Sequence, residues 1–139
     1  MNMRIVLAHG CFDPLHYGHI YHLQAASKLG THLYVAVTDD KHINKGPHRP
    51  AIPQQQRLDC VRALRCVTYG FIVQDWLEAM RLVRPHVYVK GAEYEGKLPE
   101  AEYCTRRGIE IAYTRVKTYS STKLLRHYAD RSAAIPSIN

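Results

Sequence analysis

Short apolar runs at residues 3–9, 31–39, 67–73, 86–91 and 109–114 alternate with stretches whose apolar residues fall at helical spacing. No other feature restricts the fold as much. A strand followed by a helix and then another strand implies right-handed crossovers, and several in series build a parallel sheet with helices on both faces. "MRIVLAH" (3–9) is a β-branched run bounded by Gly10, and residues 17–30 place Ile20, Leu23, Ala26 and Leu29 on one helical face before Gly30. Residues 54–66, with Leu58, Val61 and Leu64, predict a second helix. Residues 75–85 open on Asp75 as N-cap and stop before Pro85, and residues 99–108 end at Gly108. A terminal helix over 120–132 opens on serine, whereas the polar, proline-rich stretch after the second strand, "DKHINKGPHRPAIP", reads as a long surface loop. The expected architecture is α/β: a single Rossmann-like doubly wound domain with a five-stranded parallel sheet. It spans residues 1–139, with 131–139 as a flexible tail.

The chain's 139 residues suffice for one such domain and are too few for two. No apolar run is long enough to cross a membrane and the first residues lack a secretory pattern, so a cytoplasmic address and no membrane partner are expected. Cys11, Cys60, Cys66 and Cys104 are dispersed without a CxxC, which indicates neither a zinc knuckle nor a disulfide framework. Charge says more. Nineteen Lys and Arg against twelve Asp and Glu give a net charge of +7, which favours polyanionic partners.

The first strand runs into "HGCFDPLHYGHI" (9–20), which concentrates histidine and glycine where a helix begins. In a doubly wound sheet, ligands bind beyond the carboxyl ends of the strands, where the strand order reverses. A glycine-containing loop entering a helix offers free N–H groups and the positive end of the helix dipole to an anion. His16 and His19, three apart, share a face there, and Gly18 leaves room for a phosphate to approach the backbone. Each residue alone has a plainer reading: a histidine as cap, Asp13 before Pro14 as turn former. Zinc binding by His9, His16 and His19 is disfavoured because the helical zinc signature spaces its histidines by four around a glutamate.

Taken together, "GCFDPLHYGH" resembles the G-x-F-D-x-x-H-x-G-H signature of the cytidylyltransferase-like nucleotidyltransferases. "VAVTDDKHINKGPHRPAIPQQQR" and "PHVYVKGAEY" are similar to stretches of the adenylyltransferase domain of bacterial heptose 1-phosphate enzymes, which form ADP-heptose. "EYEGK" and "TRVKTYSST" resemble glycerol-3-phosphate cytidylyltransferases. The resemblance covers residues 3 to 128 and implies transfer of a nucleoside monophosphate from a triphosphate to a phosphorylated sugar or polyol, with release of pyrophosphate. It implies catalytic roles for His16, His19 and Lys45. It also implies nucleotide contacts at Gly10, Cys11, Phe12, Asp13 and Gly18, at Arg57, at Lys90 and Gly91, and at Arg115, Ser120, Ser121 and Thr122. Magnesium is the implied cofactor, carried by the nucleotide phosphates or by Asp13, and a homodimer the implied assembly.

The two comparisons disagree about the base. Arg115 and "EGK" favour the cytidylyl type and CTP, whereas the longer stretches favour ATP with a sugar 1-phosphate, which is the reading adopted. The chain also has Thr118 where the cytidylyl motif has glycine and Ser121 where it has threonine. "KTYSSTK" has an independent case as a phosphate site, since hydroxyls and free N–H groups at a helix start are flanked by Lys117 and Lys123. Without the motif, Lys45 and Arg49 would pass as solvated loop cations. A nucleic-acid-binding module would account for the charge and the ten tyrosines, yet the tyrosines are scattered and no nucleic-acid motif is present, so no nucleic-acid partner is expected.

Overall fold

Strand β1 (Ile5–Gly10) lies at the centre of the molecule because its side chains are apolar on both sides of the pleat. Val6 and Ala8 enter one core and Leu7 the other, all fully buried. A strand buried on both faces reads as a continuous apolar run, which is why it was legible as such. In a computed structural model, which describes residues 2–115, 125–127 and 129–130, four further strands flank it. They are β2 (His32–Thr38), β3 (Tyr69–Val73), β4 (Val87–Gly91) and β5 (Glu110–Thr114), all parallel, in the order β3-β2-β1-β4-β5. The order reverses between β1 and β4. The expected five-stranded, doubly wound architecture is what the chain adopts.

Helices α1 (Tyr17–Ser27) and α2 (Gln54–Arg62) supply Leu23, Ala26, Leu58 and Val61 to the core on one face. Helices α3 (Trp76–Val83) and α4 (Ala101–Arg107) supply Ala79, Met80 and Cys104 to the other. Local chemistry sets several ends as expected. Asp75 caps α3 by accepting from the Glu78 N–H at 2.9 Å, and Gly108 ends α4 at φ 68, a left-handed turn that favours glycine. Helix α1 stops earlier than predicted, at Ser27 with Lys28 as C-cap. Gly30 serves packing instead: a Cβ there would lie 2.4 Å from the Arg4 carbonyl oxygen, so only glycine lets this turn cross β1 so closely. Helix α2 also ends short of the predicted Cys66. Its chain tightens through Leu64 and Val67 so that the Thr68 N–H can reach the Leu33 carbonyl at 2.8 Å and start β3. The long loop after β2 begins with a 3-10 turn, Asp40–His42, capped by Asp39. The predicted terminal-helix opening at Ser120 and the tail 131–139 lie outside the described residues.

Candidate active site

The crevice where the strand order reverses is bridged by one side chain. Lys90, near the end of β4, donates from Nζ to the His9 carbonyl of β1 at 3.1 Å, with its ammonium over the Tyr94 ring at 5.1 Å. The loop from β1 to α1 lies directly above. Phe12 takes a left-handed conformation (φ 52) and buries its ring edge-on against His19, with ring centroids 5.0 Å apart. A bulky residue at positive φ is strained, and it persists here because the surroundings fix it.

What fixes the loop is a pair of buried ionic residues. Asp13, fully buried, accepts from Arg49 Nε at 2.8 Å, from the Ala51 N–H at 2.9 Å and from the Ile52 N–H at 2.8 Å. Arg49 Nη2 also donates to the Asp13 carbonyl at 2.8 Å. Burial alone would raise the Asp13 pKa, but Arg49 and the two amides outweigh it and hold the carboxylate below its usual range. Both oxygens are engaged within the protein, so Asp13 does not fit the magnesium role considered for it; it sets the loop. Among the described residues no group of three or more His, Cys, Asp or Glu side chains could hold a metal ion.

Arg57 needs a similar correction. Its side chain is almost fully buried, and Nε donates to the Ile52 carbonyl at 2.8 Å. Nη1 donates to the Cys11 and Thr38 carbonyls, both at 2.7 Å, and Nη2 to Asp40 Oδ1 at 2.7 Å. A guanidinium has five N–H donors, and four are spent inside the protein. Arg57 therefore ties the Cys11 end of the loop to β2 and to residue 52 and is not placed to grip phosphate. Arg49, which sequence reasoning left as a solvated cation, is the clasp on Asp13. Neither role could be read from spacing, because apart from Ile52 the partners lie 17 to 46 residues away.

The histidines arrange themselves through a cap. His16 is the N-cap of α1, and its Nδ1 accepts from the Gly18 N–H at 3.1 Å, while His19 Nδ1 accepts from the His16 N–H at 3.2 Å. The Gly18 amide expected to meet a phosphate is thus used by His16. A ring nitrogen that accepts from a backbone amide carries no hydrogen, so in the neutral imidazole the proton resides on the other nitrogen. The reciprocal cap consequently turns two Nε2–H donors away from the helix end, with ring centroids 3.9 Å apart. His16 Nε2 is buried and has no hydrogen-bond partner among the described residues. A buried unpaired donor is uncommon and calls for a ligand or water.

Burial, with added repulsion from His16, His22 and Lys45, pushes the His19 pKa down to about 3. Burial lowers His16 as well. His9 is driven to about 3, first by burial and then by Lys90, and donates to Thr38 Oγ1 at 3.0 Å. The site thus presents neutral imidazoles before any anion arrives. Lys45 is exposed on its loop, yet its charge is felt at both His19 and Lys90, so the loop brings it to the same crevice. Gly10 ends β1 and Cys11 follows it, and Gly91 ends β4 with the Glu93 carboxylate against its α-carbon. Arg115 is not brought in: it pairs with Glu95 at 2.9 Å on the exposed surface. Ser120, Ser121 and Thr122, with Lys117 and Lys123, lie outside the described residues.

A pH dependence follows from the neutral imidazoles. Unfolded histidines take up a proton near pH 6.5, whereas His9, His19 and His22 resist until about pH 3 to 4. Between those limits the unfolded chain binds more protons, so stability is fully present above pH 6.5 and falls on acidification. Thermal melting should show Tm dropping steadily from pH 7 to pH 4.5. A Tm unchanged across that window would mean that the rings ionise freely in the folded protein.

Comparison with known proteins places this crevice in context. The family model described as cytidylyltransferase-like matches residues 7–132. The chain is 41% identical over 98 residues to the bifunctional protein HldE of Nitratiruptor sp., a match covering 68% of this chain and 21% of that protein. The chain therefore spans about a fifth of the length of such HldE relatives. It is 37% identical over 113 residues to an FAD synthase of Methanohalophilus mahii, covering 75% of this chain and 79% of that protein. A crystal structure of a lipopolysaccharide core biosynthesis protein from Thermoplasma volcanium superposes with a TM-score of 0.68 at 30% identity, covering 86% of this chain and all of that one.

Proposed function

The chain belongs to the cytidylyltransferase-like family, and we propose that it is a nucleotidyltransferase that transfers AMP from ATP to the phosphate of a phosphorylated sugar or polyol. The observation that carries this reading is the reciprocal cap of His16 and His19 at the end of β1, beside the reversal of the sheet order, which uses each Nδ1 and leaves the buried His16 Nε2 without a partner among the described residues. ATP is favoured because relatives include proteins named FAD synthase, and FAD is AMP joined through a pyrophosphate to a phosphorylated ribityl chain. Arg115, which favoured CTP, spends its charge on Glu95 at the surface and lends that alternative no contact in the crevice.

In this reaction an oxygen of the acceptor phosphate forms a bond to the α-phosphorus, and the bond from that phosphorus to the bridging oxygen of pyrophosphate breaks. No group on the protein becomes covalently attached. The protein aligns the two phosphates for in-line displacement and stabilises the charge that builds on the α-phosphoryl oxygens and the leaving group. His19 and His16 donate from Nε2 to these oxygens, and the ammonium groups of Lys45 and Lys90 balance the added charge. A neutral imidazole pays no repulsion toward the two lysines beforehand and gains basicity once a polyanion binds beside it. Magnesium, arriving on the triphosphate, would neutralise its outer oxygens.

A pyrophosphate-release screen of four nucleoside triphosphates against phosphorylated sugars and polyols tests the proposal. It should give turnover with ATP, magnesium and one acceptor class, and none without magnesium. Turnover with CTP alone would replace the base; pyrophosphate release restored after chelation by zinc alone would replace the metal. Lys45→Ala should lower kcat/KM by about 10-fold or more, with partial recovery in Lys45→Arg, because a planar fork and a compact ammonium do not place charge alike. Unchanged kinetics would return Lys45 to the solvated loop.

A further inference from the structure

Helix α1 carries a third histidine one step beyond the catalytic pair. His16, His19 and His22 follow at intervals of three, which keeps them on one side of the helix as it passes over the strand ends. Each has one ring nitrogen tied into the protein. For His22 the tie is Nδ1 to the Thr114 hydroxyl, the last residue of β5. Thr114 lies opposite Gly91 of β4, and the residue before Gly91 is Lys90, whose ammonium bridges to β1. His22 therefore stands over the β4 and β5 side of the crevice that His16 and His19 face from the β1 side. Among the described residues its ring makes no hydrogen bond other than the one to Thr114.

We propose that His22 is a further phosphate-binding residue of this site, taking a substrate phosphoryl oxygen at Nε2 alongside the Lys90 ammonium. The proposal rests on the nucleotidyl-transfer reading and extends it. The charged and titratable groups facing His22 are Lys90, Glu93 and His19. Burial, followed by the charge of Lys90, lowers the His22 pKa to about 4, so the ring is neutral until an anion arrives. Glu93, an acceptor only, cannot bind phosphate; its carboxylate, packed on Gly91, suits a hydroxyl of the same molecule. A phosphate donor and a hydroxyl acceptor on one rim fit a phosphate ester of a polyhydroxyl compound. The phosphate could equally belong to the triphosphate, and the test separates the two sources.

Imidazole nitrogen NMR of the wild-type chain, with inorganic phosphate and with magnesium ATP in separate titrations, reads the contact directly. Binding should shift the His22 Nε2 resonance and raise the ring's pKa. In His22→Ala, KM for the phosphorylated acceptor should rise about 10-fold, the loss expected for a hydrogen bond to a charged group, while kcat and the KM for ATP change less than about twofold. A rise in the KM for ATP instead assigns the same contact to the triphosphate. His22→Gln, which can still span to Thr114, keeps the comparison available if the alanine variant folds poorly. The proposal is overturned if the His22 resonance ignores both ligands at concentrations that move His19, or if both variants lose stability with unchanged KM values; His22 would then be a structural tie between α1 and β5. A wild-type chain that releases no pyrophosphate with any acceptor strikes the transfer reading itself, which separates that failure from silence at His22 alone.

Discussion

His19→Ala should lower kcat by about 100-fold or more while leaving the protein folded, the scale seen when a well-placed electrostatic donor is removed. The expectation comes from where the ring is held. Its Nδ1 is fixed by the His16 amide and its edge by the Phe12 ring, which leaves Nε2–H as the donor assigned to the α-phosphate in the proposed reaction. An interaction that strengthens as charge builds on the α-phosphate acts on the rate more than on ground-state binding, so the KM for nucleotide should move little. His16→Ala removes both a cap acceptor and the buried Nε2 donor. It should raise the KM for nucleotide as well as lower kcat. The cap itself contributes about 1 kcal/mol, so circular dichroism and melting must accompany the kinetics. Near-normal turnover in His19→Ala together with a lowered Tm would make both rings structural caps.

The second large effect is on stability. Arg57→Ala should cost about 2–4 kcal/mol in urea denaturation, since interior carbonyls are left without a donor at about 1–3 kcal/mol each, while Asp40 is exposed enough for water to take over its carboxylate. The buried Thr38 and part-buried Cys11 carbonyls would lose their donor, and the Asp40 carboxylate would lose its cation. Arg57→Lys should recover less than half, since one ammonium cannot meet groups that a planar fork reaches in several directions. Unchanged m values would confirm that the unfolding reaction is the same. A loss below about 1 kcal/mol for Arg57→Ala would show that water replaces the guanidinium and that the loop is not held from this point.

The contrast between these two predictions shows what the sequence could reveal. The βα rhythm was legible because strands such as Val6 to Ala8 are apolar on both faces and helices such as α3 carry a start signal in Asp75 and a stop in Pro85, just beyond the Arg84 C-cap. The histidine row was legible in part: spacing placed His16 and His19 together, and the same spacing extends to His22, which was passed over because its partner Thr114 lies 92 residues away. Asp13 and Arg57 were visible as charged residues near a phosphate motif, and that was misleading. Their partners come from across the loop, Arg49 for one and three carbonyls for the other, and only folding reveals that their charges are already spent. Helix α2 overran its true end on paper because Leu64 continues the helical pattern while the chain has already turned toward β3.

In the proposed reaction the α-phosphorus of a nucleoside triphosphate is attacked in the crevice between β1 and β4. Phosphorus NMR of the complete reaction, containing magnesium ATP and the acceptor found by the screen, tests it most directly. Pyrophosphate and a nucleotidylated acceptor should appear in equal amounts, with their formation suppressed in His19→Ala. ADP together with a newly phosphorylated acceptor would place the attack on the γ-phosphorus and rule out nucleotidyl transfer.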